Sequence, residues 1–191
     1  MTEDAELILR SLTDPEQFAA LFRRHAPVIH RYVTRRIGPH AADDVVAETF
    51  LTAFRLRSRY QPDRRDARPW LYGIATNLIG RHRRAEVRQY RALARTGLDP
   101  VTESFADRAD ERVSAGRESR RLAAALAGLP AGHRNALLLV AWGDLSYEEA
   151  ALALGVPVGT VRSRLSRARG KLRRALGEAH MLAPAGQGDG Q

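Results

Sequence analysis

The stretch LSYEEAALALGVPVGTVRSRLSRARGKLRRAL, residues 145–176, decides the fold of the region around it. Ser146 and Glu149 form the Ser-x-x-Glu pattern that is typical of a capping box at a helix start. Gly155 favours the end of that helix, because glycine adopts the left-handed backbone conformation at little cost. Pro157 follows where a second helix can begin but the first cannot continue. The stretch therefore predicts two helices joined by a short turn.

The second of these helices has one apolar side and one basic side. Residues 157–176 contain seven basic residues and no acid. Small residues in the basic face let a helix enter a major groove, where arginines can donate to guanine edges or phosphates. A helix-turn-helix is therefore predicted, and the alternative is a solvated basic helix for acidic partners or membrane surfaces. The apolar residues recur every three or four positions, as on a buried stripe: Val161, Leu165, Ala168, Leu172 and Leu176.

Positive charge is concentrated in two parts of the chain. The 191 residues carry a formal net charge of +9, which favours a polyanionic partner such as nucleic acid. Residues 55–91 hold eleven arginines and three acids, and residues 157–176 form the second basic region. Arginine supplies all but one of the basic residues, a bias that a GC-rich genome also explains. We expect two separate basic surfaces, and the function must account for both.

Composition excludes or disfavours several classes of protein. The chain has no cysteine, which excludes disulfides, cysteine-based zinc sites and thiol redox sensing within it. The first residues, MTEDAELILRSL, lack the positive and apolar regions of a signal peptide, and no apolar segment is long enough to span a bilayer. We therefore expect a cytoplasmic protein without membrane insertion, cofactor or metal.

Helix breakers and apolar spacing predict the elements of the first half. Asp14-Pro15-Glu16 favours a helix start, and Gly38-Pro39 favours its end. Residues 57–69 combine breakers and charge with little apolar content, which is typical of a loop. The predicted elements are a helix that opens at Asp14-Pro15-Glu16 and continues to Ile37, a helix over about 41–59, that loop, and a helix that Pro69 begins and that runs on through Arg88.

An aromatic residue lies in the basic loop and another lies just after it. A loop of arginines that carries Tyr60 beside a basic helix is a credible site for single-stranded nucleic acid, because arginine follows the backbone while a ring stacks on a base. Alternatively, Tyr60 and Trp70 are core aromatics. Trp70 favours this alternative, since it lies on the apolar stripe of its helix.

Three acids, Asp43, Asp44 and Glu48, lie at the start of the second predicted helix. Asp44 and Glu48 are four residues apart and share a helix face. As metal ligands or an acid–base pair they are weak candidates, because no third ligand or histidine is suitably spaced nearby. The helix dipole explains acids at a helix start without further function. A docking surface for a basic partner is the third interpretation.

The second half is predicted to be a separate helical domain. Two helices near 117–128 and 132–142 would bring Leu122, Leu126, Leu129, Leu137 and Val140 under the helix-turn-helix. The fold class expected is all-α, with two small helical domains joined by a flexible linker. The predicted divisions are an N-terminal helical domain over 14–92, a linker over 93–116, a helix-turn-helix domain over 117–177 and a disordered tail over 178–191.

Four stretches in this order resemble bacterial RNA polymerase sigma factors of the sigma-70 family, in its extracytoplasmic-function group. DDVVAETFLTAFR (43–55) resembles the segment that docks on the polymerase clamp helices. RPWLYGIATNLIGRHRR (68–84) resembles the helix that reads and opens the minus-ten element. Residues 126–155 resemble the start of the C-terminal domain, and residues 156–176 resemble its recognition helix. The resemblance implies a monomeric promoter-specificity subunit that is not itself an enzyme.

The resemblance also implies roles for individual residues. Asp44 and Glu48 would contact the clamp helices of core RNA polymerase. Asn77 would line a pocket for a flipped base of the minus-ten element, and the neighbouring downstream contacts would be Tyr60, Arg64, Arg65 and Arg81. The upstream, minus-thirty-five element would be met in the major groove by Arg162, Ser163, Arg164, Ser166 and Arg167.

Partners and rival functions follow from the same residues. The implied partners are core polymerase, promoter DNA in duplex and single-stranded form, and an anti-sigma factor. The chief rival is a stand-alone helix-turn-helix regulator, which would dimerise to match two half-sites. Two others are a metal-dependent nuclease that uses Asp43, Asp44 and Glu48, and a dedicated single-strand or RNA-binding protein. A further hypothesis is that the acidic linker limits DNA binding by the free chain.

Overall fold

The computed structural model describes residues 3–63, 66–96 and 119–181, and within them every regular element is helical. Short 3-10 turns lie at Pro15–Gln17 and Arg57–Arg59. The all-α prediction is confirmed. In chain order the helices are α1 (Glu3–Arg10), α2 (Phe18–Ile37), α3 (Pro39–Leu56), α4 (Arg68–Arg81), α5 (Arg83–Thr96), α6 (119–127), α7 (Ala131–Ala141), α8 (Tyr147–Leu154) and α9 (Val158–Met181).

The helix starts follow the capping chemistry of the sequence. The Glu149 N–H donates to Ser146 Oγ at 3.1 Å, and the Ser146 N–H donates to a carboxylate oxygen of Glu149 at 2.8 Å. Gly155 adopts the left-handed conformation at φ 61° and ψ 38° and ends α8. Asp14 accepts from the Glu16 N–H at 3.2 Å ahead of α2. Because a cap satisfies backbone donors that the helix itself leaves unpaired, each of these starts is fixed locally.

The predicted third helix of the first half is two helices. α4 ends at Arg81 and α5 begins at Arg83, with a tight turn in which the His82 N–H donates to the Ile79 carbonyl at 2.8 Å. The preceding Gly80 weakens the helix by about 1 kcal/mol relative to alanine, and a Cβ at this position would meet nothing within 4 Å. The turn lets α5 bury Glu86 and Tyr90. The burial of these two side chains decides the direction in which α5 runs.

The N-terminal helix α1 was not predicted, and one buried carboxylate holds it in place. Asp4 accepts from Arg24 at 2.7 Å and from the Ala67 N–H at 3.2 Å, and it contacts His25 Nε2 at 2.8 Å. Burial alone would raise the pKa of the Asp4 carboxyl, but His25, Arg24 and the Ala67 amide outweigh burial and hold it well below its ordinary value. His25 is therefore a buried histidine that joins α2 to α1 through Asp4.

Asp4, His25 and Asp66 also place potential metal-ligand atoms within 4.8 Å of one another, the one such group in the described part of the chain. Both oxygens of Asp4 already accept hydrogen bonds, and Asp66 accepts from the Arg68 side chain and, at 2.8 Å, from the Arg68 N–H. Nearby arginines also disfavour a cation. The cluster therefore serves to join α1 to α2 and to the start of α4.

Buried apolar side chains from both halves form a single cluster. α2, α3 and α4 pack together through edge-on aromatic pairs such as Tyr32–Tyr72, whose ring centroids are 5.0 Å apart. α7, α8 and α9 form the helix-turn-helix half, in which Leu126 and Leu129 are buried as predicted. Leu122, predicted to be in this core, is instead 40% exposed. The two halves meet where α4 packs on α8.

Two helices extend a few residues past predicted domain boundaries. Residues 93–96 were assigned to the linker but form the last turn of α5, and residues 178–181 were assigned to the tail but continue α9. The rest of both segments, with the acidic residues of the linker hypothesis, lies outside the described residues. Among the helices that the structure describes, none has the length and apolar content that crossing a membrane requires.

Candidate nucleic-acid interface

The recognition helix α9 buries one side and exposes the other. Val161, Leu165 and Ala168 are at most 1% exposed, which confirms that part of the predicted stripe. Leu172 and Leu176 are half-buried, because α7 and α8 do not extend as far as the end of α9. The outward face carries four of the predicted upstream DNA contacts as exposed side chains: Arg162, Ser163, Ser166 and Arg167.

The four exposed residues differ in how free their side chains are to bind DNA. The Ser163 hydroxyl donates to the Thr160 carbonyl at 3.0 Å, and Arg162 lies 3.8 Å from Glu148 in an exposed ion pair. Such a pair is worth little in water, so Arg162 can exchange it for a phosphate. Arg167 makes no hydrogen bond or ion pair within the described residues. Of this face, Arg167 is therefore the cation most ready to bind.

Arg164 lies apart from the other predicted upstream contacts. It is half-buried, and a Cβ at Gly132 on α7 would lie only 3.3 Å from its guanidinium carbon. Its side chain therefore packs towards α7 and away from the outward face. Any DNA contact by Arg164 would come from the flank of the helix.

The pKa of His133 on α7 is lowered by burial and by the positive charges on α9. Burial lowers the pKa of His133, and the charges of Arg167, Lys171 and Arg164 lower it further. Three cations that act on one imidazole without a compensating acid mark a strongly positive surface. Such a surface attracts a phosphate backbone over distances near the Debye length.

The second predicted DNA surface centres on the end of α4. Asn77 and Arg81 are exposed and one helical turn apart, so they share a face with Gly80 between them. The Asn77 amide makes no hydrogen bond within the described residues, and a Cβ at Gly80 would meet nothing within 4 Å. An amide offers both donors and acceptors to a base edge. The α4 end therefore presents an open polar face beside an arginine.

Tyr60 lies in the core, which favours the second of the two sequence interpretations. It is 7% exposed, and its ring centroid lies 5.1 Å from that of Trp70 in a tilted contact. In this conformation the ring is not available to stack on a base, because the side chain is buried. The sequence could not decide this, since an aromatic in a basic loop suits either role. Arg64 and Arg65 lie outside the described residues.

A basic surface on α5 was hidden by the prediction of one long helix. Four exposed arginines recur at three- and four-residue spacing, opposite the buried Glu86 and Tyr90. No carboxylate among the described residues pairs with them. Their spacing was visible in the sequence, but the turn at His82 was needed to separate them from α4. We call Arg84, Arg88, Arg91 and Arg95 the α5 arginine stripe.

The predicted docking residues lie on an outward face of α3. Asp44 is exposed, Glu48 is half-buried, and Leu51, one turn further along this face, is 43% exposed. Asp43 points elsewhere and contacts His30 Nε2 at 3.0 Å. Acids together with an exposed leucine are typical of a protein-binding surface. This arrangement does not gather the three acids around one point, as a metal site would require.

Comparison with known proteins identifies both halves. The family described as "Sigma-70 region 2" matches residues 21–89, and "Sigma-70, region 4" matches residues 119–172. RNA polymerase sigma factor CarQ of Myxococcus xanthus is 35% identical over 170 residues, which cover 87% of this chain and 92% of CarQ. The chain belongs to the sigma-70 family.

Further relatives place this sigma factor in the extracytoplasmic-function (ECF) group. ECF RNA polymerase sigma factor SigE of Mycolicibacterium smegmatis is 36% identical over 165 residues, covering 80% of this chain but 59% of SigE, so the chain spans less than two thirds of that relative. The solved structure of CnrH in complex with the cytosolic domain of CnrY has a TM-score of 0.63 at 28% identity and covers 92% of this chain and 97% of that one.

The two matched family regions lie in different halves of this sigma factor and contain different predicted surfaces. The region 2 match runs from α2 into the first half of α5 and contains the α3 face and the α4 end. The region 4 match runs from α6 into α9 and contains the outward recognition face. Each match therefore includes one of the two predicted DNA surfaces.

Proposed function

We propose that this sigma factor is the promoter-specificity subunit of a bacterial RNA polymerase. It docks on the core enzyme, directs it to particular promoters and helps to open the DNA, and it has no catalytic role of its own. The observation that carries this proposal is that one chain presents two separate exposed surfaces of different chemistry, the outward face of α9 and the end of α4. The α9 face suits paired DNA, and the α4 end suits bases that have left the stack.

In the upstream contact, α9 enters the major groove of the minus-thirty-five element. Arg167, with Ser163 and Ser166 beside it, faces the base edges, where an arginine can donate to both acceptors of a guanine. Arg162 exchanges its weak pair with Glu148 for a phosphate. The small serines leave room for close approach of the helix. Sequence choice therefore depends chiefly on Arg167.

In the downstream contact, the α4 end captures a base of the minus-ten element. Asn77 binds the edge of an extruded base, and Arg81 binds the adjacent backbone. Extrusion costs a few kcal/mol of stacking and pairing, which these contacts offset only in part. The remaining cost must be met by a larger assembly that holds the DNA in register. Opening therefore depends on polymerase.

The α3 face connects this sigma factor to core polymerase. Asp44, Glu48 and Leu51 present acids and an apolar side chain to the clamp helices of core polymerase. The sigma factor thereby acts where the polymerase acts, in the cytoplasm, and it acts as a monomer without a cofactor. A further proposed partner is an anti-sigma factor. In support, the structurally similar CnrH was solved in complex with another protein, the cytosolic domain of CnrY.

The test is run-off transcription with purified core polymerase and promoters selected by the wild-type protein. Arg167→Ala should lower discrimination between matched and mismatched upstream elements by about 1–3 kcal/mol, the worth of a bidentate base contact. Arg174→Ala, an exposed arginine of the same helix two turns away, is the matched control. An equal loss on unrelated duplexes would mark Arg167 as a phosphate contact. Promoter selection without core enzyme would favour the stand-alone regulator.

A further inference from the structure

The N-terminal helix α1 holds the end of the loop that precedes α4. Asp4 Oδ2 accepts from the backbone N–H of Ala67, the last residue before α4, at 3.2 Å. Both residues are buried, Asp4 at 6% exposure and Ala67 at 0%. The other bonds of Asp4, to Arg24 and His25, connect its carboxylate to α2. The start of α4 is therefore tied to α2 through a residue of α1.

The residue that follows α1 holds the beginning of the same loop. The Arg57 Nε–H donates to the Ser11 carbonyl at 3.2 Å, and Arg57 Nη1 donates to the Phe54 carbonyl in the last turn of α3 at 2.6 Å. Ser11 is itself fixed, because it is completely buried and its hydroxyl donates to the Ile8 carbonyl at 2.6 Å. Arg57 thereby joins the end of α1 to α3 where the loop begins.

Between these two ties the chain turns towards solvent. Tyr60 packs on Trp70 of α4, whereas residues 61–63 are exposed. A segment that is held at both ends and at one aromatic residue has fewer conformations open to it than a segment held by chain connectivity alone. We call residues 57–63 and 66–67 the downstream loop, because they lead into the helix that carries Asn77. Two of the three points that hold this loop involve α1 or the residue after it.

The position of α1 comes entirely from its contacts with other elements. The helix has eight residues, and isolated helices of fewer than about 12 residues are marginal in water. Its buried side chains are Ala5, Ile8 and Asp4. It carries none of the residues assigned to DNA or polymerase. Its contribution is therefore to hold other elements in place, and those elements are α2 and the two ends of the downstream loop.

We propose that α1 is a positioning element for the minus-ten contact, in which Asp4 and Ser11 hold both ends of the downstream loop and thereby set how the loop and the α4 end meet opened DNA. The inference rests on the proposed function. Asp4 is too deeply buried to contact DNA, so it acts through Ala67, and Ser11 acts through Arg57. A contact that reads a base depends on placement within about 0.5 Å, so a loosened support lowers discrimination between sequences.

Two variants loosen the loop, one at each end, and each has a matched control. Asp4→Ala removes the acceptor of the Ala67 N–H, and Glu6→Ala removes a partly exposed acid of the same helix, which pairs only weakly with Arg10 at 3.8 Å. Arg57→Lys keeps the charge, but an ammonium group does not reproduce the fork of a guanidinium. Its control is Arg59→Lys, at an exposed position of the same turn. Circular dichroism checks the helical content, and if Asp4→Ala does not fold, Arg57→Lys decides the question.

Run-off transcription with core polymerase gives a readout that a merely structural role would not move. Asp4→Ala and Arg57→Lys should each lower discrimination between matched and mismatched minus-ten elements by about fivefold, the lower end of what one base pair is worth. Distant sites act independently, so discrimination at the minus-thirty-five element should stay within about twofold of wild type. A loss of stability alone would lower transcription from all promoters by the same factor. Both controls should retain the wild-type preference at both elements.

Amide hydrogen exchange shows whether the tie at the end of the loop is lost. The Ala67 amide should exchange about tenfold faster in Asp4→Ala than in wild type or Glu6→Ala, because its acceptor is gone. Unchanged exchange would show that α1 does not hold the loop and would overturn the proposal. Faster exchange with unchanged minus-ten discrimination overturns the positioning role, and so do equal losses of discrimination at the two promoter elements.

The result for the wild type separates this inference from the proposed function. If wild-type protein and core polymerase give no promoter-dependent transcription, the proposed function fails and the positioning role fails with it. If the wild type transcribes and both loop variants keep its minus-ten preference, the positioning role fails alone. Selective loss of minus-ten discrimination in both variants, with the controls unchanged, supports α1 as the element that positions the downstream loop.

Discussion

At the residue scale, the buried charged side chains of this sigma factor stabilise its fold. Asp4 and Glu86 are both almost completely buried, and each accepts from two arginine or histidine side chains. A buried carboxylate without partners would be strongly disfavoured, so these residues fix the helices around them. The residues assigned to DNA and polymerase are, by contrast, mostly exposed and weakly paired. We therefore expect function to use the surface charges, while the buried charges maintain the fold.

Asp4→Asn should lower the free energy of unfolding by about 2 kcal/mol at pH 7, because it weakens the bonds to Arg24 and His25 in a buried place. The pKa of Asp4 is lowered in the folded state, so its contribution is complete above the ordinary range near 3.9 and is lost as pH falls. Urea unfolding from pH 7 to pH 3 measures the difference between wild type and variant.

That difference should be constant above about pH 5 and should shrink below about pH 4. Asp44→Asn, which changes the same charge on the exposed face of α3, is the control and should alter stability by no more than about 0.5 kcal/mol. A difference that grows as pH falls would contradict the assigned role of Asp4.

At the element scale, the helices act as amphipathic units whose outward faces differ. α9 presents serines and arginines, the α4 end presents an amide, α3 presents acids, and α5 presents the α5 arginine stripe. The stripe covers about 17 Å of helix length at about 1.5 Å per residue, enough to follow several phosphates. Its position after α4 suits the duplex that adjoins the opened element. We therefore expect the stripe to add affinity for DNA without reading its sequence.

Replacing two members of the stripe should lower the salt dependence of DNA binding. For Arg88→Ala with Arg91→Ala, the slope of log K against log salt concentration should fall by about 2, since each phosphate contact contributes about 0.9. Arg23→Ala with Arg31→Ala, two exposed arginines of α2, has the same net charge and serves as the control. Fluorescence anisotropy with a labelled duplex gives both slopes. Equal slopes in the two double variants would refute a contact by the stripe.

At the scale of the whole molecule, the two family regions are not independent bodies in the free chain. Besides the packing of α4 on α8 and the bonds of Glu86 to one arginine from each half, Trp142 after α7 lies between Arg35 of α2, at 5.5 Å, and Tyr90 of α5, at 6.5 Å between ring centroids. Residues far apart in the chain thereby share one core. A shared core couples the stability of one half to that of the other.

Calorimetric unfolding should therefore show one cooperative transition for wild type. In Gly73→Ala the added methyl group would lie 2.6 Å from the Ala153 carbonyl oxygen of α8, so the coupling should weaken and the transition should broaden or separate into two. Gly80→Ala should retain the single transition, with at most a small change in midpoint. Two transitions already present in wild type would show that the halves are uncoupled in solution.

The amino-acid sequence by itself determined the all-α class, most of the helices, the helix-turn-helix and the family resemblance. The capping box of Ser146 and Glu149, the turn at Gly155 and the apolar stripe of α9 involve residues within a few positions of one another, so local chemistry fixes them. For the same reason, the exposed faces that carry Asn77 and Arg167 could be found before the structure was known.

Only the tertiary structure decided which side chains of uncertain role are buried and how the two halves contact each other. Tyr60 packs on Trp70, Asp4 holds α1, and Glu86 binds one arginine from each half. These contacts join residues up to about fifty positions apart, and no local pattern encodes such pairing. Their physical cause is burial: a charged or aromatic side chain takes its role from the partners that the folded chain brings to it.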